Sequence, residues 1–247
     1  MKILSLNLHS FQEENRIEKL NIIADFIKEN DIDVCLFQEA CQEHDKVELE
    51  GKIKMGNNAN YIRNKLGYNI YYHPVKIGFD VLDEGLAIIS KLPILNQNSK
   101  IISYTTKYKS WQKRDLIWCK IGSYTFFNVH LGWTMEDEVG MNQVNKIISE
   151  IKRHEERYIM AGDFNYPDGS DEIKQLKKYM YSFADLAKVD PSKNPTFHFE
   201  LDSSVVGNNR MIDFIFTNTL CDVKKFEIVF NDPKNYVSDH NGILVEI

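Results

Sequence analysis

The chain is poor in the features that would make it a disulfide scaffold, a membrane protein or a string of linked modules. Its four cysteines, Cys35, Cys41, Cys119 and Cys221, show neither CxxC spacing nor a zinc-ligand pattern. Two of them lie in apolar, strand-like runs, where a reduced, buried thiol is expected. No apolar run approaches the roughly 20 residues of a membrane-spanning helix. A strand pattern begins at residue 2, which leaves no room for a signal peptide, so the expected location is cytoplasmic. The six prolines are scattered, and there is no Gly/Ser-rich tract and no repeat at solenoid periods. With 247 residues, 43% of them hydrophobic, the sequence reads as one domain over 1–247 with a sizeable core. An excess of positive charge is also missing, the net charge being −6. Lys and Arg are interspersed with acids, which disfavours sequence-independent binding of nucleic-acid phosphates without excluding a local basic groove.

What the chain does contain is a series of short apolar runs, many ending in a polar residue. Residues 2–8 read as a strand with Asn7 near its end, and 13–29 as an amphipathic helix on Ile17, Leu20, Ile23, Ala24 and Ile27. A second strand over 33–37 ends at Gln38-Glu39, giving a βαβ-like opening. Asn7 and Glu39 then share the carboxyl end of core strands, where open α/β sheets hold ligands. The pattern continues as a polar loop over 40–60, a short helix before Gly67, a strand over 68–72, a loop over 73–83 and a buried strand over 84–90 beginning at Glu84. Residues 98–110 are polar with strand-like pieces. Lys107, Lys109, Lys113 and Arg114 surround Trp111, a stretch suited to gripping phosphate or, more blandly, to a solvated loop. Segments 115–121 and 124–129 pair as a hairpin through Gly122-Ser123 and run into His130-Leu131-Gly132-Trp133. A helix over 138–153, a strand over 158–161, a short helix over 171–179 and a loop-rich 185–209 follow. Strands over 210–216, 223–230 and 242–247 complete the pattern.

The strand over 158–161 delivers Gly162-Asp163-Phe164-Asn165. On an extended backbone Asp163 and Asn165 point the same way. The acid can take a proton from water or bind a metal, and the amide can hold the water without charge. Alone, the same residues suit an ordinary turn. Asp213 is the most anomalous charge, set between Ile212 and Phe214 within a buried strand, where an Asp needs a partner. Together, Asn7, Glu39, His130, Asp163, Asn165, Asp213, Asp239 and His240 all lie at strand ends or inside apolar strands. Their types suit one chemistry: carboxylates for a hard divalent cation, an acid for water activation and histidines for developing negative charge. Carboxylates close to the histidines favour imidazolium at neutral pH. This is a set for metal-assisted phosphoester hydrolysis, and it is unlike a thiol, serine-triad or zinc site.

The ordered segments LNLH, QEA, EGLAIISKLP, NVHLG, GDFN, IDFIF and SDH resemble the endonuclease/exonuclease/phosphatase superfamily, with its DNase I-like fold, from residue 2 to 247. The resemblance implies a four-layered α/β sandwich, two packed mixed β-sheets flanked by helices. It implies Mg²⁺, with Mn²⁺ as a possible substitute, held by Glu39 directly and by Asn7, with Asp239 a further metal- or water-binding acid. Asp163 then deprotonates the attacking water, and Asn165 holds water and phosphate. His240 contacts the scissile phosphate, and Asp213 keeps it charged. His130 is a second phosphate-side histidine, with Glu84 as the acid paired with it.

The superfamily spans DNA nucleases, sphingomyelinases and sugar-phosphate phosphatases, so the fold leaves the substrate open. Further likeness is to the bacterial maltose 6′-phosphate phosphatase group. It rests on Asn7-Leu8-His9-Ser10 followed by Glu13-Glu14-Asn15, on Ile77-Gly78-Phe79-Asp80 before Asp83-Glu84-Gly85-Leu86, on Trp111 to Arg114, and on His130 to Trp133. In that likeness Trp133 packs on a sugar face and Lys113 or Arg114 holds phosphate. The expectation is a phosphatase for a small phosphorylated metabolite such as a sugar phosphate, with a monomer as the default oligomeric state. A nucleic-acid phosphodiesterase and a non-catalytic binding domain are the alternatives.

Overall fold

The computed structural model describes residues 1–44, 53–133, 140–198, 209–232 and 234–247. In chain order the strands are β1 (Lys2–Asn7), β2 (Val34–Glu43), β3 (Asn69–Gly78), β4 (Leu82–Ser90), β5 (Leu95–Ile101) and β6 (Asp115–Ile121). They continue with β7 (Tyr124–His130), β8 (Tyr158–Asp163), β9 (Tyr181–Ser182), β10 (Asp213–Thr217), β11 (Lys225–Val229) and β12 (Gly242–Glu246). The helices are α1 (Arg16–Glu29), α2 (Asn58–Leu66), α3 (Gly140–Ile151), α4 (Asp171–Leu176) and α5 (Phe183–Leu186). One six-stranded sheet has the order β11-β12-β1-β2-β4-β3 and the other β5-β6-β7-β8-β10-β9.

Alternating side chains assign the layers. In β1, Ile3 packs between the sheets, whereas Leu4 and Leu6 pack outward with Leu20, Ile23 and Ile27 of α1. In β8, Ile159 and Ala161 face the other sheet, and Tyr158 and Met160 face Val144 and Ile147 of α3. Both faces of these strands are therefore buried, which is why their sequences are near-continuous apolar runs. The result is the expected sandwich of helices, sheet, sheet and helices. Among the described residues no helix is long and apolar enough to cross a membrane.

Each sheet is mixed and contains one parallel pair, β1–β2 around α1 and β7–β8 around α3. The two parallel units bring their carboxyl ends together, and Asn7 on β1 donates to Asp163 on β8 at 3.1 Å across the interface between sheets. Gly162 permits the close β7–β8 approach, since a Cβ there would lie 2.0 Å from the Val129 carbonyl oxygen. Beneath the cluster, Gln38 Nε2 donates to Asn128 Oδ1 at 2.7 Å, and Asn128 Nδ2 donates to the carbonyls of Phe37 and Ala87 at 2.9 and 3.0 Å. This buried polar pin fixes one sheet against the other.

Several elements depart from the sequence expectation. The loop expected over 73–83 is largely strand, because β3 runs through Pro74 to Gly78. Proline lacks the ladder donor, but β3 is an edge strand and its pairing with β4 shifts between Pro74 and Lys76. Glu84 consequently lies inside β4 rather than at its start. The loop expected from residue 40 begins later, since β2 passes a bulge and continues to Glu43; residues 45–52 of that loop are outside the described residues. β5 is missed at its start because nearly all its side chains are exposed and carry no alternation. The helices are shorter than expected, α1 beginning at Arg16 and α4 ending at Leu176. Residues 138–139 of the third expected helix, and 199–208 of the loop-rich segment, are outside the described residues.

Candidate active site

Asp163 is the hub of the cluster at the strand ends. Its backbone neighbour Asn165 donates to Asp163 Oδ1 at 2.8 Å, a local turn that fixes the carboxylate plane. The other oxygen, Oδ2, accepts from Asn7 at 3.1 Å and has His130 Nε2 and His240 Nε2 each at 3.6 Å. The Asn165 side chain is held by donation to the Leu131 carbonyl at 2.8 Å. Asp163 and Asp213 are direct cross-strand partners on β8 and β10, and His130 is the parallel partner of Asp163 on β7. Three neighbouring strands thus present these side chains at one level.

His240 Nδ1 lies 2.8 Å from Asp213 Oδ2. That contact assigns the proton to Nδ1 as donor, leaving Nε2 directed at Asp163. Burial works against charge on this ring, but Asp213, Asp163 and Asp239 outweigh it and hold the pKa well above the ordinary histidine value. Burial, with Asp213 adding and His240 opposing, lifts the Asp163 carboxyl to about 7. His130 is the opposite case: burial and then the cations Arg114, Lys76 and His240 push it well below the usual range. The two buried histidines are therefore shifted in opposite directions, His240 by three acids that outweigh its burial and His130, although 3.6 Å from Asp163, by burial and the nearby cations.

Glu39 sits in the β2 bulge with φ 49°, and Asn165 has φ 57°. Non-glycine residues in this region are strained, and such strain clusters at sites where the fold imposes a direction on a side chain. Glu39 Oε1 accepts from Asn7 at 3.1 Å and Oε2 from Ser10 Oγ at 3.0 Å, both neutral donors. Burial, with Glu84 and Asp239 nearby, raises its pKa. On the far side, His9 Nδ1 lies 2.6 Å from Glu13 Oε1 and 3.5 Å from Asp239 Oδ1.

Among the described residues, two sets of side chains have ligand atoms spaced closely enough to hold a metal ion, His9–Glu13–Asp239 and Asp163–Asp213–His240. Asp213 Oδ1 is buried without a hydrogen-bond partner among the described residues. Crowded carboxylates, an orphaned oxygen and a Glu39 served only by neutral donors make a donor set that fits a hard divalent cation.

The remaining expected residues are placed less simply. Glu84 is not joined to His130. Its carboxylate is 3.2 Å from Lys76 Nζ and accepts from Ser10 Oγ at 3.3 Å, so the nearer cation claims it. Lys113 is buried, and its ammonium contacts Asp115 at 2.6 and 2.8 Å. Arg114 lines the same small recess as His130, with Nη1 donating to the Trp111 carbonyl at 2.6 Å. Trp133 is 39% exposed. Lys76, Ser10, His9 and Glu13 were given no role by the sequence. The signal for Lys76 lay in the irregular edge strand, where the register shift after Pro74 redirects it.

No curated protein matches the chain in sequence. Among solved structures, an endonuclease/exonuclease/phosphatase family protein from Leptotrichia buccalis C-1013-b is similar at 25% identity and TM-score 0.87, over 100% of this chain and 99% of that one. A mannosyl-6-phosphatase from Bacteroides thetaiotaomicron VPI-5482 is similar at 19% identity and TM-score 0.74, over 100% and 98%. A humanized D. rerio TDP2 is similar at 16% identity and TM-score 0.68, over 99% and 97%. The last two likenesses are of fold alone. The model of the Endonuclease/Exonuclease/phosphatase family matches residues 4–240. The chain belongs to that family, and its paired carboxylate–histidine clusters make it a metal-dependent phosphoesterase.

Proposed function

We propose that the protein is a phosphatase that releases phosphate from a small phosphorylated metabolite, a sugar phosphate. The observation that carries this reading is the convergence of Asn7, His130 and His240 on one oxygen of Asp163. With a pKa lifted to about 7, Asp163 is poised to accept a proton from water near neutral pH. Asn165 orients that water, and charged His240 offsets the negative charge that grows on the phosphoryl oxygens during in-line attack. Asp213 keeps His240 protonated and correctly turned. Glu39, Asn7 and Asp239 would hold Mg²⁺, or Mn²⁺ in its place, and the ion would supply charge neutralisation at the phosphoryl group. No covalent intermediate is needed.

A small substrate is favoured because the surface beside the cluster carries Glu13, Glu14 and Glu18, whereas a polyanion needs a basic track. The similar fold of the Bacteroides thetaiotaomicron mannosyl-6-phosphatase accords with this. Free buried thiols at Cys35, Cys41 and Cys119 accord with a reducing, cytoplasmic setting.

The test is phosphate release with Mg²⁺ from a panel of sugar monophosphates, with duplex DNA, single-stranded DNA and a lipid phosphodiester in parallel. Turnover confined to a sugar monophosphate, lost by orders of magnitude in Asp163→Asn, is the expected result. Cleavage of DNA with silent monophosphates would overturn the reading.

A further inference from the structure

Among the described residues, two recesses of very different size adjoin the cluster. The one bordered by Lys76, Glu84, Arg114 and His130 has a volume of about 10 Å³, space for a single water. The other is a groove of about 500 Å³, within the roughly 300–1,000 Å³ of ordinary small-molecule sites. Its two walls continue directly from segments that carry site residues. One wall runs from His9, two residues after Asn7, into the first turns of α1. The other is formed by Asn235 and Tyr236, shortly before Asp239. His9 belongs to both places, lining the groove while its Nδ1 stands 3.5 Å from Asp239 Oδ1. The organic part of a substrate whose phosphate sits at the cluster has this groove beside it, and the 10 Å³ recess cannot hold it.

We propose that this groove is the specificity subsite of the enzyme and that it takes the neutral, hydroxyl-rich part of the substrate, a glycosyl ring. The proposal rests on the sugar-phosphate reading above. The lining decides the ligand class. Gln12, Asn15 and Asn235 offer amides, and Glu14 and Glu18 offer carboxylates, so hydroxyl groups can be met as both donors and acceptors. Tyr236 is half-buried and packs on His198 at a centroid distance of 4.9 Å, giving a held aromatic face for the apolar side of a sugar ring. Among the described lining residues Ile22 is the one aliphatic side chain, too little to hold an acyl chain along its length. Of the two lysines at the groove, Lys19 is already bonded to Glu13, so the surface repels a nucleic-acid backbone.

The test uses the full-length protein with Mg²⁺ and the variants Gln12→Ala, Asn235→Ala and Tyr236→Ala, none of which belongs to the catalytic cluster. Gln12 and Asn235 are exposed, so their variants keep the fold even where Tyr236→Ala does not. Steady-state constants are measured on a disaccharide 6-phosphate, on glucose 6-phosphate and on p-nitrophenyl phosphate. The expected result is a KM for a sugar phosphate raised about tenfold, the loss of a hydrogen bond or ring contact, with p-nitrophenyl phosphate turnover unchanged within about twofold. Wild-type KM for sugar phosphates in all three variants overturns the subsite and leaves the sugar-phosphatase reading standing. Equal losses on every substrate also overturn it, since they mark a structural effect. A wild-type enzyme that cleaves p-nitrophenyl phosphate or DNA but no sugar phosphate overturns both.

Discussion

Asp163 gives its two oxygens different work: Oδ1 is fixed by the Asn165 amide, and Oδ2 meets Asn7 and both histidines. The charge of His240 depends chiefly on Asp213 overcoming burial. Asp213→Asn removes that support, so the His240 pKa falls and the alkaline limb of the pH–rate profile moves to lower pH. Activity at its optimum falls about a hundredfold, and a limb that stays in place would sink this assignment. Lys76 makes a second test at this scale. It is buried, with Nζ 3.2 Å from Glu84 Oε1 and 3.1 Å from the Trp111 carbonyl. Lys76→Met strands the Glu84 carboxylate and should destabilise the fold by roughly 3 kcal/mol or more in urea titration, with the Lys76→Met/Glu84→Gln double variant recovering much of it. Because Lys76 is among the cations that depress His130, the same variant should raise the His130 pKa, read from its ring proton shifts. Asp163, Asp213 and His240 were legible in sequence because a charge in an apolar strand is conspicuous. Lys76 was not, because a lysine two residues after a proline, in a segment expected as a loop, looks solvated.

At the level of elements, strands buried on both faces announced themselves, as in β1, β2, β8 and β10, where apolar residues line both faces. Edge strands did so unevenly. β11 is legible over 223–230 and the first part of β3 over 68–72, but β3 beyond Pro74 and β5, exposed along nearly its whole length, lack the pattern that a buried face imprints. The contact between sheets was equally hidden, because Gln38 and Asn128 read as ordinary polar residues until the two strands are stacked. Their pin makes a specific demand. Asn128→Leu leaves the Phe37 and Ala87 carbonyls and Gln38 Nε2 without their present partner. Each buried unsatisfied group costs about 1–3 kcal/mol, so a loss of at least roughly 2 kcal/mol is expected in urea unfolding. A change under about 0.5 kcal/mol would mean that the pin is replaceable by packing alone.

For the molecule as a whole, the cleft is where acids crowd, Glu39, Glu84, Asp163, Asp213 and Asp239 sharing one neighbourhood. The metal-free protein must fold with these acids crowded together. Burial raises both Glu39 and Asp163, the latter to about 7. An acid whose folded pKa exceeds its unfolded value contributes its stability fully below the unfolded pKa, about 4, and loses it as pH rises through the folded one. Metal-free stability should therefore decline between about pH 4 and pH 7, each lost kcal/mol lowering Tm by roughly 2–4 °C in a chain of this size. A divalent cation beside Glu39 and Asp163 favours their ionised forms, so its stabilisation has the opposite slope. Melting the protein in EDTA and in Mg²⁺ from pH 5 to pH 8 should show the Mg²⁺-induced rise in Tm growing with pH. Asp163→Asn should flatten that growth, since the variant has no proton to lose at this position. A Mg²⁺ effect of constant size across the range would place the bound ion away from the acids at the strand ends.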